Sequence, residues 1–223
     1  MPTYLDTERW SRSQQFHFFK TYDQPFFNIC APLDVTELLR LSRSEGGPAF
    51  FLTYHYLALR AANEEEPFRY RLRGDRVLVH DRIDMGTTIL LDGERFAFCY
   101  FEYDEDGARF LEKASAAVES LRASDGRLRP SEGRDDLVHC SVIPWISFTS
   151  FSHARMRIPQ DSVPKLVFGK YFADGDRFRM PVSVEVHHAL MDGVHVGRYF
   201  ERLERFFADP AALLALDERG GPL

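Results

Sequence analysis

Four ionisable side chains fall within nine residues near the C-terminal end: His187, His188, Asp192 and His195. A histidine followed four residues later by Asp-Gly can be a general base held in orientation by a carboxylate. The same residues also read as a buried, satisfied histidine beside an ordinary helix cap. Zinc is a third use of such a cluster. Adjacent strand residues point to opposite faces, however, so His187 and His188 cannot easily share one ion, and no metal is expected. Nucleophilic chemistry finds little support. Cys30, Cys99 and Cys140 are widely spaced, lie in apolar contexts and form no CxxC pair, which reads as free thiols. No G-x-S-x-G elbow is present.

The elements that must position this cluster are a strand and a helix. In Pro181–His188, Val182, Val184, Val186 and His188 alternate onto one face, and Pro181, Ser183, Glu185 and His187 onto the other. His188 is therefore expected on the apolar face, largely buried at the strand end. From Asp192, Val196, Tyr199 with Phe200, Leu203, and Phe206 with Phe207 recur at helical spacing. Asp192 is the expected N-cap, and Gly193 is expected to let the backbone turn closely.

The rest of the chain supplies helices and a sheet. Helices are expected over Thr7–Tyr22, Asp34–Arg43, Phe50–Asn63 and Gly107–Ala123. Strands are expected over Phe26–Pro32, within Phe68–Tyr103, over Leu137–Ile143, Lys165–Phe172 and Arg177–His188. Asp92-Gly93 is read as a hairpin turn, Ser124–Asp136 as a surface loop, and Asp209–Leu223 as a short helix with a frayed Gly-Gly-Pro end. Arg69, Arg71 and Arg73 alternate with Phe68, Tyr70 and Leu72. They read either as a phosphate patch or, in preference, as one solvent face of a strand. Phe96, Phe98 and Tyr100 read as core by default. Strands joined by hairpins with helices on one side make an α+β fold. The 223 residues suit one domain (1–223) and, at 14% aromatic with 20 Phe, can bury a sizeable core. The net charge of −6 and the lack of a long basic run argue against nucleic acid as the main partner. No apolar run is long enough to cross a bilayer, and with unpaired cysteines the expected location is cytoplasmic.

Three motifs in one order give the reading a family. Trp10-Ser11-Arg12 is followed by Phe16, Phe18 and Phe19. Pro144-Trp145-Ile146-Ser147-Phe148-Thr149-Ser150-Phe151 lies mid-chain, and His187-His188-Ala189-Leu190-Met191-Asp192-Gly193-Val194-His195-Val196 near the end. Together these resemble the chloramphenicol acetyltransferase family, one of the HxxxDG coenzyme-A-dependent acyltransferases, from about Tyr4 to Phe207. The resemblance implies a two-layer fold with a mixed, mostly antiparallel sheet. It also implies a homotrimer in which His188 of one subunit faces the acceptor pocket of its neighbour. His188 would be the general base and Ser150 the oxyanion donor, with transfer direct from acetyl-CoA to an alcohol. Arg12 would pair with Asp192 and, with Gly193, hold the turn. Lys170 and Tyr171 would meet the nucleotide end of the cofactor, and Phe50 and Phe51 the pantetheine arm. Phe18, Phe19, Phe27 and Phe96 would line the acceptor pocket, which suits chloramphenicol or a similar amphipathic alcohol. Several positions depart from the family pattern. Ala49 stands where a lysine can add a phosphate contact, Phe19 replaces a tyrosine, Pro25 falls where cysteine or alanine is common, and Val167 replaces a threonine. His153 has no usual counterpart, and His195 is expected to be structural. A changed acceptor, or a non-catalytic relative that binds coenzyme A or another ligand, are the alternatives these departures leave open.

Overall fold

A computed structural model describes residues 2–131, 133–155 and 161–214. In chain order the elements are β1 (Thr3–Tyr4), α1 (Ser13–Phe19), β2 (Phe26–Asp34), α2 (Thr36–Arg43) and α3 (Phe50–Glu64). A short 3-10 turn (Glu66–Arg69) leads to β3 (Tyr70–Arg73), β4 (Arg76–Val79), β5 (Asp84–Leu90) and β6 (Phe96–Phe101). Then follow α4 (Gly107–Ala123), β7 (Leu137–Ile143), β8 (Lys165–Gly169), β9 (Phe172–Asp174), β10 (Arg177–His187), α5 (Gly193–Ala208) and α6 (Pro210–Leu214). The expected Gly-Gly-Pro end lies outside the described residues.

The main sheet runs β2-β10-β8-β7-β5-β6, with β9 also on β10, and β1-β4-β3 form a small second sheet. Only β5–β7 and β7–β8 are parallel pairs; the other pairings are antiparallel. The sheet is thus mixed and mostly antiparallel, as expected for the α+β reading. β10 is its spine, paired to β2 over nine residues from Arg179–Asp34 to His187–Phe26. Val182, Val184 and Val186 are fully buried in one core with Leu57, Tyr199 and Leu203 of α3 and α5. Ser183, Glu185 and His187 are buried as well, because polar partners meet them. Ser183 Oγ exchanges hydrogen bonds with Asn28, and Arg155 Nε donates to Glu185 Oε1 at 2.6 Å.

Three expectations are corrected here. The first helix is shorter than Thr7–Tyr22, covering Ser13–Phe19 alone. On β6 the buried face is Ala97, Cys99 and Phe101, while Phe96 is exposed and Phe98 and Tyr100 are half-buried. The core face of β6 therefore carries Ala97, Cys99 and Phe101, which meets Phe110 of α4, and not the Phe96, Phe98 and Tyr100 face. Arg71 is not on a solvent face. It is fully buried and donates to the carbonyls of Phe68, Tyr70, Asp135 and Leu137. Burial pushes its guanidinium down to about 10, with Asp135 acting in the opposite sense. Five fixed donors let one arginine tie the β3 turn to the start of β7, where a strand pattern predicts only alternation.

Candidate active site

The turn after β10 is built by backbone before any side chain acts. Leu190 and Met191 donate their N–H groups to the carbonyl of His187, which closes the strand. The pleat therefore ends at His187, and His188 leaves it. The alternation rule fails at that residue, so the buried imidazole is His187, at 3% exposure, and not His188, whose side chain is 32% exposed. His187 Nδ1 accepts from the Ala189 N–H at 3.2 Å, and burial, aided by Arg155, holds the ring down to about 4. His188 is anchored by its own N–H, which donates to the Pro25 carbonyl at 2.6 Å.

The imidazole of His188 is gripped on its faces and on one edge. Phe19 stacks on it, centroids 3.7 Å apart and planes within 6°, and Phe27 leans on it at 4.7 Å. Phe18 is exposed and packs edge-on against Phe19 rather than on the histidine. Nδ1 is buried 3.2 Å from Asp192 Oδ1, without the alignment of a hydrogen bond. That carboxylate is already committed. Arg12 grips it through Nη2–Oδ1 at 2.6 Å and Nε–Oδ2 at 2.7 Å, and also donates to the carbonyls of His188 and Ala189 at 3.1 Å. Burial alone would raise the Asp192 carboxyl. The hydrogen bonds and charge of Arg12 outweigh it and hold the group below the usual carboxylate range. Nε2 of His188 has no partner among the described residues and is the nitrogen left open.

Asp192 also caps α5. His195 answers it, with Nδ1 accepting from the Asp192 N–H at 2.9 Å, a reciprocal capping box. Burial lowers His195 below its ordinary value and keeps it neutral, as that acceptor role requires. Gly193 is not what makes the turn. Its φ is not left-handed, and a Cβ there would meet no atom within 4 Å. The turn falls at residues 188–190, before Gly193 is reached.

A cavity of about 1000 Å³ opens elsewhere, at the ends of β5, β7 and β8. Phe50, Phe51, Phe96, Lys170 and Tyr171 line it, with Ser141–Trp145 along one wall. Ala49 is on the rim and adds no charge. Aromatic walls ending in a lysine and a tyrosine can hold an elongated, partly apolar ligand with an anionic end. Glu119 and Arg122 of α4 also face it. The sequence reading missed them. The only signal was Val118 on the apolar stripe of α4, which brings that helix to the wall.

The expected acceptor quartet is therefore not gathered within one chain: Phe96 is in the cavity, whereas Phe19 and Phe27 surround His188. The strand directions explain this. β8 runs parallel to β7 and antiparallel to β10, so the cavity and His188 lie at opposite ends of the strands. From Val182, paired with Phe168, to His188 is six steps of extended chain, roughly 20 Å. Ser150 is exposed and joined by no hydrogen bond to His188. Its segment leaves the cavity edge at Phe148, which abuts Gly169, and reaches β10 through Arg155. His153 packs on Phe151 and faces the Glu185–Arg155 cluster, where burial holds it down to about 4. Among the described residues no three His, Cys, Asp or Glu side chains are grouped to hold a metal ion.

A sequence profile described as chloramphenicol acetyltransferase matches residues 2–204. The chain belongs to the chloramphenicol acetyltransferase family. That match takes in both the His188 turn and the cavity wall. A chloramphenicol acetyltransferase of Proteus mirabilis is 30% identical over 203 residues, covering 91% of this chain and 93% of that protein. Chloramphenicol acetyltransferase 3 of Escherichia coli is 28% identical over 204 residues, covering 91% and 95%. A solved chloramphenicol acetyltransferase structure superposes with a TM-score of 0.84 at 29% identity, over 93% of this chain and all of that one. A dihydrolipoamide acetyltransferase of Azotobacter vinelandii shares the fold, with a TM-score of 0.65 at 18% identity, over 91% and 88%. The chain is an acyltransferase of the chloramphenicol acetyltransferase type.

Proposed function

We propose that this protein is a cytoplasmic, acetyl-CoA-dependent O-acetyltransferase. Its acceptor would be chloramphenicol or a similar small amphipathic alcohol, with antibiotic resistance as the consequence. The carrying observation is the Arg12–Asp192 clamp beneath His188, which leaves Nε2 as the open nitrogen. Nε2 would take the proton of the acceptor hydroxyl as its oxygen bonds to the thioester carbonyl carbon. Ser150 would donate to the resulting oxyanion. As the carbon–sulfur bond breaks, the imidazolium would return the proton to the departing thiolate. No covalent acyl-enzyme is needed. Lys170 and Tyr171 would hold the nucleotide end of the cofactor, and Phe50 and Phe51 its arm.

The separation of His188 from the cavity supports a site completed between copies of the chain, in a homotrimer. His188, Phe19 and Phe27 of one subunit would then face Phe96 and Ser141–Trp145 of the next. A second reading keeps this chemistry and changes the acceptor. Glu119 and Arg122 in the cavity wall favour it, because charged groups there suit a more polar alcohol than a nitrophenyl one.

The test is thiol release from acetyl-CoA, with and without chloramphenicol, beside His188→Ala. Release that needs the drug and vanishes in the variant is the expected result. No drug-dependent release, with turnover of another alcohol, would move the assignment to the second reading. Binding of coenzyme A without turnover of any alcohol would mark a non-catalytic relative.

A further inference from the structure

Just behind the cavity lining stands a cation that the reading above leaves unused. Arg43 ends α2, and its Nη2 stands 3.5 Å from the Tyr171 hydroxyl. Its guanidinium carbon lies 5.6 Å from the ring centroid of Phe178. Tyr171 in turn sits edge-on to Phe178 and to Phe50, at 5.8 Å each. Arg43 is therefore one contact from the residue that adjoins Lys170 on the cavity rim. One turn earlier, Arg40 is engaged by Glu37 at 2.7 Å. Arg43 has no carboxylate partner among the described residues. Of its five N–H donors, one reaches Tyr171, at the outer limit of a hydrogen bond.

We propose that Arg43 is a phosphate-binding residue for the nucleotide end of coenzyme A, acting with Lys170. The assignment rests on the acyltransferase reading. A phosphate near neutral pH carries close to two negative charges, and Lys170 supplies a single point charge. The guanidinium adds a planar fork that can engage two phosphate oxygens at once. Its rest over Phe178 limits the rotamer freedom lost on binding. Ala49 leaves that rim without a charge of its own, so Arg43 supplies from α2 what position 49 does not. The competing role is plain: a cation in the last turn of α2 complements the helix dipole. That role predicts a change in stability and none in nucleotide affinity.

The experiment is calorimetric binding of coenzyme A and of 3′-dephospho-coenzyme A at two salt concentrations. It uses unaltered protein, Arg43→Gln and Arg43→Lys, with thermal unfolding as the folding control. We expect Arg43→Gln to weaken coenzyme A binding by about three- to tenfold and to flatten its salt dependence, with Arg43→Lys recovering part of the loss, the charge without the fork. Loss of the penalty with the 3′-dephospho compound would support the 3′-phosphate as partner. A penalty of the same size that Arg43→Lys relieves would support the diphosphate. Unchanged affinity in Arg43→Gln, or a loss that neither Arg43→Lys nor salt modulates, would overturn the assignment alone. No coenzyme A binding by the unaltered protein would overturn the proposed acetyl-CoA dependence and this assignment with it.

Discussion

Replacing Arg12 with alanine removes four donated hydrogen bonds at once: two to Asp192 and one each to the carbonyls of His188 and Ala189. The Arg12 side chain is 9% exposed and Asp192 30%, so the carboxylate left behind is only partly hydrated. Breaking a fully buried pair costs about 3–5 kcal/mol, and the partial exposure of Asp192 places this case near the lower end, about 3 kcal/mol. For a chain of this length that is a fall in Tm of about 6–12 °C. Scanning fluorescence at one fixed protein concentration measures it, since any self-association makes Tm concentration-dependent. The Asp192 pKa is depressed in the folded state, so its contribution is complete above the ordinary carboxylate pKa and disappears as pH falls through the folded value. The Arg12→Ala deficit should therefore be largest near neutrality and shrink below about pH 4. Asp192→Ala should cost less in the Arg12→Ala background than alone. A Tm within 2 °C of the parent, or strictly additive single and double variants, would refute the argument.

Three further outcomes follow from the same contacts. Arg71→Met should lower stability by about 3–4 kcal/mol, because four carbonyls lose a buried donor; urea unfolding will read it, and an effect under 1 kcal/mol would show that water replaces the guanidinium. His187 has a lowered folded pKa, so its stabilisation is present above the unfolded value near 6.5 and is lost as pH falls toward about 4; Tm should fall from pH 7 to pH 5, and His187→Gln should flatten that fall. Gly169→Ala would place a Cβ 2.8 Å from Pro181 Cγ, 2.9 Å from Phe148 Cε1 and 3.0 Å from the Ile146 carbonyl. It should cost about 1–3 kcal/mol and, by displacing the Ser150 segment, lower kcat more than it raises KM; unchanged kinetics would show that Ser150 is positioned independently of β8.

Legibility in the sequence followed the reach of each rule. α4 and β7 have the bounds that periodicity predicts, because both are governed by local spacing. Cys99 and Cys140 are buried thiols, as apolar context implies, while Cys30 is half-buried. The motifs identified the family, and Arg12 does meet Asp192. Strand parity, by contrast, misplaced His188, because it assumes the strand persists one residue longer than its hydrogen bonds allow. Parity also put Arg71 outside, because no local pattern can announce carbonyls 64 residues away that need a donor. Nor could spacing show that His188 and Phe96 belong to opposite ends of the strands. That depends on which neighbours β10 takes, which is decided by long-range pairing.

The bond between Arg12 and Asp192 spans 180 positions of sequence, and β2–β10 pairing is almost as remote. Closing a loop of that size costs several kcal/mol of chain entropy, about 4–5 by the logarithmic rule, before any contact compensates it. The grip of Arg12 on Asp192 therefore bears this cost, whereas the turn's own backbone hydrogen bonds to the His187 carbonyl do not. The grip is the later step. It must wait until residues 177–208 are free to dock on the first thirty-four. The same remoteness works in reverse. Opening the β2–β10 edge separates the imidazole from Phe19, Phe27 and Arg12 together, and leaves the turn only its local hydrogen bonds to the His187 carbonyl. The hold on His188 is a readout of whether β2 and β10 are joined.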